Sequence, residues 1–265
     1  MYLKRYLISS SFFGLLILFL TSFTALGFSI KEKKAEEILT RFVDSYRAKV
    51  TADEARIFGL QVQGEGGGEW HVLIDPGKNV FLRPGKSPKP TYYFTLDLST
   101  LRKIDRGELN ALTAMGKARS SDRTSMDIQM MEGSAPFSQV IGEILSTAFH
   151  FFTLGSPEII LFGEQYSRPI HGANMVLFYY EPGLRTAWGQ IKKGMVINKD
   201  VKDQVNSFPT LVVAIRGRAK VKLGEKILTL EEGRALLIPA GISHQIWNDE
   251  DEPVECIIIM FGKNA

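Results

Sequence analysis

The stretch GRALLIPAGISHQIWN, residues 233–248, decides how the C-terminal part of this chain folds. Pro239 and Gly241 lie between two apolar runs of this stretch. Proline and glycine are typical of tight turns. The runs ALLI and HQIW are too short for helices and have the length of β-strands. The stretch therefore predicts two short strands joined by a turn, with His244 near the start of the second strand.

The sequence on both sides of this stretch repeats the same pattern. From residue 170 to residue 265, short apolar runs alternate with segments rich in Gly, Pro, Asn and Asp, and no helical period of useful length occurs. Many short strands at regular spacing are typical of a β-sandwich or a small barrel. The other runs are NMVLFYY, RTAWGQI, TLVVAIRG, RAKVKLG, KILTLE and VECIIIMF.

Residues 170–265 resemble a cupin domain. Five positions match fixed positions of the second conserved cupin motif, namely Gly233, Pro239, Gly241, His244 and Asn248. The resemblance implies an all-β jelly-roll barrel, and it implies a homodimer because cupin barrels commonly pair. In metal-binding cupins the histidine at the position of His244 points into the barrel and ligates a divalent metal.

The other metal ligands of a cupin come from a first motif, which contains a histidine pair, a glutamate and then a glycine. Gly217 matches that glycine, so Thr210 stands where the glutamate is expected. The segment between the turn KKG and Gly217 contains no histidine and no glutamate. We therefore expect no cofactor. The alternatives are a divalent metal held by His244, His171 and Asp203, or a small-molecule pocket lined by His244.

Residues 31–154 predict a different, α+β region. KKAEEILTRFVDSYRAKV has apolar residues at helical spacing, whereas IFGLQVQG and EWHVLID alternate as strands do. Helical spacing returns in LSTLRKIDRGELNALTAMGK, with a break at Gly107, and again in FSQVIGEILSTAFHFFTL. Short strand patterns lie between these helices. The order predicts a helix, a sheet and a closing apolar helix.

Residues 33–154 resemble the sterol carrier protein type 2 domain in this order of elements. The resemblance rests on GGEWHVLID after the first strand, on the segment LRKIDRGELNALTAMGK and on the apolar last helix. The family has a Gly-Lys pair followed by a Gly-Asp pair. Here Gly116-Lys117 is followed by Ser121-Asp122, so the second glycine is missing.

This second resemblance implies a curved sheet with helices on one face and an apolar tunnel between them. The family binds and moves sterols, fatty acids and similar molecules without reacting them. A ligand gains roughly 25 cal/mol for each Å² of apolar surface that it removes from water. The same side chains could instead fill a core, since lining and filling residues are both apolar. The candidate ligand-binding residues are Trp70, Phe94, Ile104, Ile144, Leu145 and Phe149.

The first residues predict export. Lys4 and Arg5 precede an uncharged run from Tyr6 to Ile30, which contains FFGLLILFL and then the small-residue stretch Ala25-Leu26-Gly27, the order found in secretory signals. The run is also long enough to span a bilayer. We expect a signal peptide or a membrane anchor over residues 1–28. The protein would then lie in the periplasm, the envelope or the extracellular space, or stay on the membrane if the segment is retained.

Charge and cysteine content exclude some classes of function. The chain has a formal net charge of +3, residues 29–154 carry 17 basic and 16 acidic residues, and residues 155–265 carry 13 of each. Because neither part has a basic surplus to neutralise phosphates, nucleic acid is not an expected partner. The single cysteine, Cys256, cannot form an internal disulfide.

Together these patterns predict four segments: residues 1–28, a lipid-binding region over 31–154, a linker over 155–169 and the cupin region over 170–265. We expect non-enzymatic binding or transfer of an apolar small molecule, with the cupin region as an accessory or dimerisation module. Two alternatives remain. The cupin region could be a metal-dependent enzyme that acts on a lipid, or the chain could be a ligand-free structural protein of the envelope.

Overall fold

A computed structural model gives the architecture of residues 33–50, 55–87, 89–117 and 122–265. The predicted signal peptide or anchor lies outside these described residues. Within the described ranges, no helix is both long enough and apolar enough to cross a membrane. The chain from Lys33 to Ala265 forms one unit by its internal contacts.

The first region combines a five-stranded sheet with four helices. The helices are α1 (Ala35–Tyr46), α2 (Leu98–Asp105), α3 (Ala111–Met115) and α4 (Phe137–Phe151). The strands are β1 (Arg56–Gln63), β2 (Gly68–Ile74), β3 (Val80–Pro84), β4 (Tyr92–Asp97) and β5 (Met126–Met130). The strand order is β3-β2-β1-β4-β5. Strands β1 and β4 are parallel, and the other neighbours are antiparallel.

Helix α1 shows why these residues form a helix at this place. Its apolar residues recur every three or four positions and all lie buried on one face. Glu36 and Glu37 stand in its first turn, where negative charge is favourable near the positive end of the helix dipole. The helix therefore packs one apolar face against the sheet and leaves its charges in water.

Aromatic rings fill the space between the sheet and the helices. The ring of Phe58 lies 6.0 Å from Tyr92, 5.9 Å from Phe94 and 5.2 Å from Phe151, measured between ring centroids. Most of these pairs meet edge to face, the arrangement that aromatic quadrupoles favour. Phe58, Phe94 and Phe151 are completely buried. Where the sequence predicts an apolar tunnel, the described residues thus form a packed core.

The second region is a sandwich of two sheets. One sheet has the order β13-β10-β15-β8-β7-β6, and the other has the order β12-β11-β14-β9. The strands are β6 (Arg168–Ile170), β7 (Ala173–Glu181), β8 (Leu184–Ile191), β9 (Val196–Ile197), β10 (Thr210–Arg216), β11 (Arg218–Leu223), β12 (Lys226–Glu231), β13 (Ala235–Ile238), β14 (His244–Trp247) and β15 (Val254–Phe261).

The predicted jelly-roll barrel is corrected in one respect, because the two sheets do not close into a barrel. Closure needs a hydrogen-bonded ladder that continues from one sheet into the other. At one edge stands β9, which has only two residues and pairs with β14. At the other side of the sandwich, the edge strand of the smaller sheet is β12 and that of the larger sheet is β13, and these two strands are not neighbours in one ladder. The region is therefore an open sandwich of jelly-roll type.

The core of the sandwich is built from smaller side chains than the first core. Its buried members are mainly Ala, Val, Ile and Leu, and Cys256 packs among them. They come from alternate positions of the strands, because successive strand residues point to opposite faces. The buried residues are Ala173, Ile191, Val212, Ala214, Ala219, Val221, Leu230, Ile238, Ile246, Val254 and Cys256.

Hydrogen bonds join the two regions at β6 and β7. The guanidinium of Arg168 donates to the carbonyl of Thr113 at 3.1 Å, to that of Arg123 at 2.5 Å and to that of Gly116. The amide of Leu177 donates to the hydroxyl of Thr113 at 2.8 Å. Two of these carbonyls, those of Thr113 and Gly116, lie at the end of α3, and the Thr113 carbonyl also accepts from the Gly116 amide at 3.3 Å. The predicted segment boundaries stay a prediction.

Candidate functional site

The six apolar candidates do not converge on one place. Phe94 and Ile144 are completely buried, and Leu145 is 5% exposed, so all three belong to the first core. Trp70 and Ile104 each line a different surface cleft. Phe149 packs edge to face against Tyr179, with ring centroids 5.4 Å apart. Trp70 and Ile104 therefore each border one of the two clefts described below.

The larger of these clefts has a volume of about 300 Å³ and lies between the α2–α3 connection and the chain that follows α4. We call it the α2–α4 cleft. Ile159 and Leu161, on its lip, are 76% and 47% exposed, and the neighbouring Phe162 is 50% exposed. Its apolar walls are Ile104, Leu109, Phe152, Leu154, Ile159, Ile160 and Leu161.

Sequence reasoning missed this lip. The run EIILF, residues 158–162, falls in the segment that we predict to be a linker. Its signal was available, because consecutive large apolar residues are unusual in a solvated connector. The wall opposite the lip is formed by the α2–α3 connection. It could not be predicted, because it is distant from residues 158–162 in sequence.

A partly buried ion pair fixes the lip of the α2–α4 cleft to the first core. The carboxylate of Glu158 lies 3.4 Å from Lys49 Nζ and 2.8 Å from His150 Nδ1. Lys49 Nζ also donates to the carbonyl of His150 at 2.9 Å. Burial alone would raise the pKa of Glu158, but the hydrogen bond from His150 and the charge of Lys49 lower it overall. Glu158 therefore stays ionised and holds the lip in place.

The second cleft lies between α1 and the β2–β3 hairpin and has a volume of about 240 Å³. Its floor is apolar, with Val43, Trp70, Phe81 and Leu82. Its rim is charged, since Glu36, Asp44 and Arg47 border it, and Arg47 forms an ion pair with Asp44. The floor resembles that of the α2–α4 cleft, but none of the described lining residues is a strongly exposed Val, Leu, Ile or Phe.

The sandwich brings His171 and His244 together through Asn198. His171 Nε2 shares a hydrogen bond with Asn198 Oδ1, and Asn198 Nδ2 donates to the carbonyl of His244 at 3.2 Å. The backbone carbonyl of Asn198 accepts from Gln204 at 3.2 Å and from Gln245 at 3.3 Å. Asn198 is 3% exposed, so these hydrogen bonds between loops and the strand β14 are shielded from solvent.

His244 is 5% exposed and is held as a neutral imidazole. Burial lowers its pKa, the bond to the carbonyl of Ile242 works in the opposite direction, and the nearby His171 lowers it further. Its Nδ1 lies 3.0 Å from that carbonyl, which fixes the proton on Nδ1 and leaves the lone pair on Nε2. The Nε2 atom of His244 is thus the one atom of this side chain that could donate to a metal.

The residues around His244 do not fit a cupin metal centre. A tightly held divalent metal needs three or four protein ligands. Thr210, at the position of the expected glutamate, is 5% exposed, and its hydroxyl accepts from Asn206 at 3.4 Å. Asp203 lies in a short 3₁₀ turn, Val201–Asp203. Among the described residues, no group of three or more His, Cys, Asp or Glu side chains is placed to bind a metal.

Cys256 is not placed to act as a nucleophile. It is 2% exposed, and its thiol lies 3.6 Å from the carbonyl of Gly189. Burial raises the pKa of this thiol to about 12, so it stays protonated at neutral pH. The residue acts as a small apolar member of the sandwich core.

Similarity to a known protein family is found in the second region. Residues 206–260 match the family described as Cupin domain. A cupin 2 conserved barrel domain protein from Salinispora arenicola is 16% identical, with a TM-score of 0.36, over 41% of this chain and 91% of its own. An RmlC-like cupin from Methanocaldococcus jannaschii is 12% identical, with a TM-score of 0.32, over 40% of this chain and 94% of its own. A search of curated proteins returns no match.

The family match does not extend to residues 33–154, so the resemblance of that region to sterol carrier proteins stays a prediction. In the second region, the match and the sandwich architecture agree with the motif in residues 233–248. The C-terminal part of this chain therefore carries a cupin domain.

Proposed function

We propose that this protein binds an apolar small molecule, such as a fatty acid or a sterol, without changing it chemically, and that the α2–α4 cleft is the binding site. The exposure of Ile159 and Leu161 beside an apolar-walled cleft carries the proposal. Apolar side chains at a concave site remain in water at a free-energy cost unless something covers them. An apolar ligand would cover them.

The dimensions of the cleft favour a ligand of which only one part is buried in the cleft. A volume of about 300 Å³ lies at the lower end of the range for small-molecule sites, which is roughly 300–1,000 Å³. Asp105, Arg106 and Asn110 border the cleft beside its apolar walls. An alkyl chain or one end of a ring system would lie against the walls, and a polar head group would meet these residues.

Phe152 connects the cleft with the first core. It lines the cleft, is 3% exposed, and its ring lies 5.6 Å from Phe42 and 5.4 Å from Phe94. Rotation of this ring would lengthen the cleft toward Phe94, which is one of the sequence-predicted ligand residues. A longer ligand would then be accommodated at the cost of breaking two aromatic contacts.

The proposal includes the other parts of the chain in minor roles. The cupin domain would serve as an accessory module, because its two histidines lack the further ligands of a metal-dependent enzyme. Export, through a cleaved signal or a retained anchor in residues 1–28, would place the binding region next to membrane lipids. The resemblance of residues 33–154 to sterol carrier proteins supports the same ligand class.

A chain-length series tests the proposal. Binding of saturated fatty acids of increasing length to the full chain would be measured by calorimetry. Each buried methylene contributes about 0.8 kcal/mol, so the affinity should rise roughly fourfold per carbon and level off once the cleft is full. Equal affinity for all lengths, or no binding of any length, would contradict the proposal.

A pair of variants assigns the binding to this cleft. Leu161→Glu places a charge on the lip and should abolish the dependence on chain length. Ile227→Glu makes the same kind of change at a residue that is 63% exposed on β12, away from both clefts, and should leave binding unchanged. Quenching of Trp70 by the ligand, with no effect of Leu161→Glu, would instead assign binding to the second cleft, between α1 and the β2–β3 hairpin.

The two alternatives predict other outcomes. Turnover of a bound lipid that depends on an added divalent metal and is lost in His244→Gln would favour the enzymatic alternative. A protein from its native source that carries no extractable lipid, and that binds no fatty acid, would favour the ligand-free structural alternative.

A further inference from the structure

The polar side chains that line the α2–α4 cleft determine which head group a ligand can carry. They belong to Asp105, Arg106, Asn110 and Thr153. An ionised head group binds well only where a charge of the opposite sign replaces the water that it loses. The head group that fits this cleft therefore depends on whether these side chains already have partners of their own.

Asp105 already has two cationic partners. Its Oδ2 lies 2.9 Å from Lys33 Nζ, and its Oδ1 accepts a hydrogen bond from the guanidinium of Arg41. The side chain of Asp105 is 5% exposed, whereas those of the two cations are each 45% exposed. Lys33 and Arg41 therefore neutralise a nearly buried carboxylate, and a ligand carboxylate would have to compete with Asp105 for them.

Arg106 is paired in the same way. Its Nε donates to one oxygen of Glu108 at 2.6 Å and its Nη2 donates to the other at 2.9 Å, the bidentate geometry that suits a guanidinium and a carboxylate. The hydrogen bond from Arg106 lowers the pKa of Glu108, and the charges of Arg106 and Lys103 add to this effect. Glu108 therefore stays ionised at neutral pH and occupies an edge of Arg106 that a ligand carboxylate would use.

The two neutral side chains are also bonded within the protein. Asn110 Oδ1 accepts from the amide of Thr113 at 2.8 Å, and its Nδ2 donates to the carbonyl of Leu177 at 3.0 Å. The hydroxyl of Thr153 donates to the carbonyl of Phe149 at 2.6 Å. An amide and a hydroxyl can each form one further hydrogen bond, which suits an uncharged polar group.

Lys49 is bonded to the chain at the end of α4, which forms one wall of the cleft. Its Nζ donates to the carbonyls of His150 and Thr153 and lies 3.4 Å from the carboxylate of Glu158. Its side chain is 6% exposed, so it cannot reach a head group without leaving these partners. The cations that are already paired with carboxylates around the cleft are therefore Lys33, Arg41, Lys49 and Arg106.

We infer that the α2–α4 cleft selects lipids with an uncharged head group, such as a long-chain alcohol, an ester or a sterol, over an ionised fatty acid of the same length. The inference rests on the function proposed above and narrows its ligand class. The alkyl chain contributes equally in either ligand, because the same apolar surface leaves water. A carboxylate would lose water without gaining an unpaired cation, whereas a hydroxyl loses much less.

Calorimetry of the full chain with decanol and with decanoate at neutral pH tests the inference. Decanol should bind at least ~10-fold more tightly, because an unpaired carboxylate costs more to desolvate than a hydroxyl. Leu161→Glu should weaken both ligands, since both would bind in this cleft. Decanoate that binds as tightly as decanol, with both weakened by Leu161→Glu, would overturn the inference and leave the proposed function standing. Binding of neither ligand would overturn both.

A pair of variants tests whether ion pairing causes the selectivity. Glu108→Gln removes the carboxylate that is paired with Arg106, so decanoate should bind about 2–5-fold more tightly, the range expected for an exposed ion pair, and decanol should be unaffected. Glu252→Gln makes the same change at the exposed pair with Arg216 in the cupin domain and should alter neither ligand. Equal tightening of decanoate by both variants, or no tightening by Glu108→Gln, would overturn the inference.

Discussion

The two cores of this protein are filled by different kinds of side chain, aromatic in the first region and mainly aliphatic in the cupin domain. In the first region, rings such as Phe58, Phe94 and Phe151 meet one another between a sheet and helices. In the cupin domain the core consists of Ala, Val, Ile and Leu side chains between two sheets. Facing sheets pack about 10 Å apart, and shorter side chains from the two inner faces fill that space.

The difference extends to the surface. In residues 33–154, the described large apolar side chains lie almost entirely in the core, and Phe137 is the one that is strongly exposed, at 47%. The cupin domain leaves many more in contact with solvent, among them Val201, Ile227 and Leu237, which are 81%, 63% and 54% exposed. The first region thus buries most of its described large apolar side chains, whereas the cupin domain leaves several of them in contact with solvent.

The largest expected effect tests the aromatic core. Phe58→Ala removes a fully buried ring that contacts three others, so it should reduce the free energy of unfolding by about 3–5 kcal/mol. Urea denaturation followed by circular dichroism measures this change. A loss below about 1 kcal/mol would mean that the rings enclose space instead of filling it, as the predicted tunnel requires.

The next effect concerns the junction between the two regions. Arg168→Met removes bonds to three backbone carbonyls and should cost about 1.5–3 kcal/mol, because hydrogen bonds from charged groups are strong. It should also split one unfolding transition into two in calorimetry. The matched change Arg216→Met removes an exposed ion pair and should cost at most about 1 kcal/mol. Equal effects of the two changes would contradict the coupling.

A smaller effect is expected in the cupin core. Ile191→Val removes one methylene from a residue that is 1% exposed and should cost about 0.5–1.5 kcal/mol. Denaturation monitored by the fluorescence of Trp188 on the same strand would follow it. If this variant were as damaging as Phe58→Ala, the cupin core could not be the more tolerant of the two.

The smallest effect is a pH dependence that belongs to the cupin domain alone. Because burial lowers the pKa of His244, the unfolded chain binds a proton more readily than the folded one. Its contribution to stability is complete above the ordinary histidine pKa, about 6.5, and is lost as the pH falls through that value toward the lower folded pKa. Stability should therefore fall less between about pH 7.5 and pH 5 in His244→Gln than in the wild type.

His71 offers a control for this comparison, since it is a half-exposed histidine on β2 with a bond of 2.9 Å to the carbonyl of Gly85. His71→Gln is the same substitution at this less buried position, and its profile is compared with that of His244→Gln. Identical profiles for wild type and His244→Gln, measured as urea midpoints at each pH, would show that His244 does not control the acid sensitivity.

Local patterns predicted the secondary structure well. The helical spacing of KKAEEILTRFVDSYRAKV and the alternation in EWHVLID correspond to α1 and β2. The short strands β6 and β9 were missed, because two or three residues carry no readable period. The motif around His244 predicted the cupin domain, which the family match confirms. The closed barrel was wrong, because strand length at the sheet edges depends on long-range pairing.

The candidate site was predicted less well than the fold. Trp70 and Ile104 line clefts, but Phe94 and Ile144 lie in a filled core, since an apolar residue type is the same in either place. The lip residues Ile159 and Leu161 were treated as part of a linker. Their role depends on a wall from α2 and α3 that lies far away in sequence.

The sequence by itself determined where helices, strands and turns lie, because these follow from the spacing of apolar residues and from glycine and proline over a few positions. It also determined that His244 stands without the usual cupin ligands. Only the tertiary structure decided which apolar residues are buried, which form the α2–α4 cleft and which stay exposed to solvent. Burial is a property of pairs of surfaces, and the residues that form each pair are brought together only when distant segments pack.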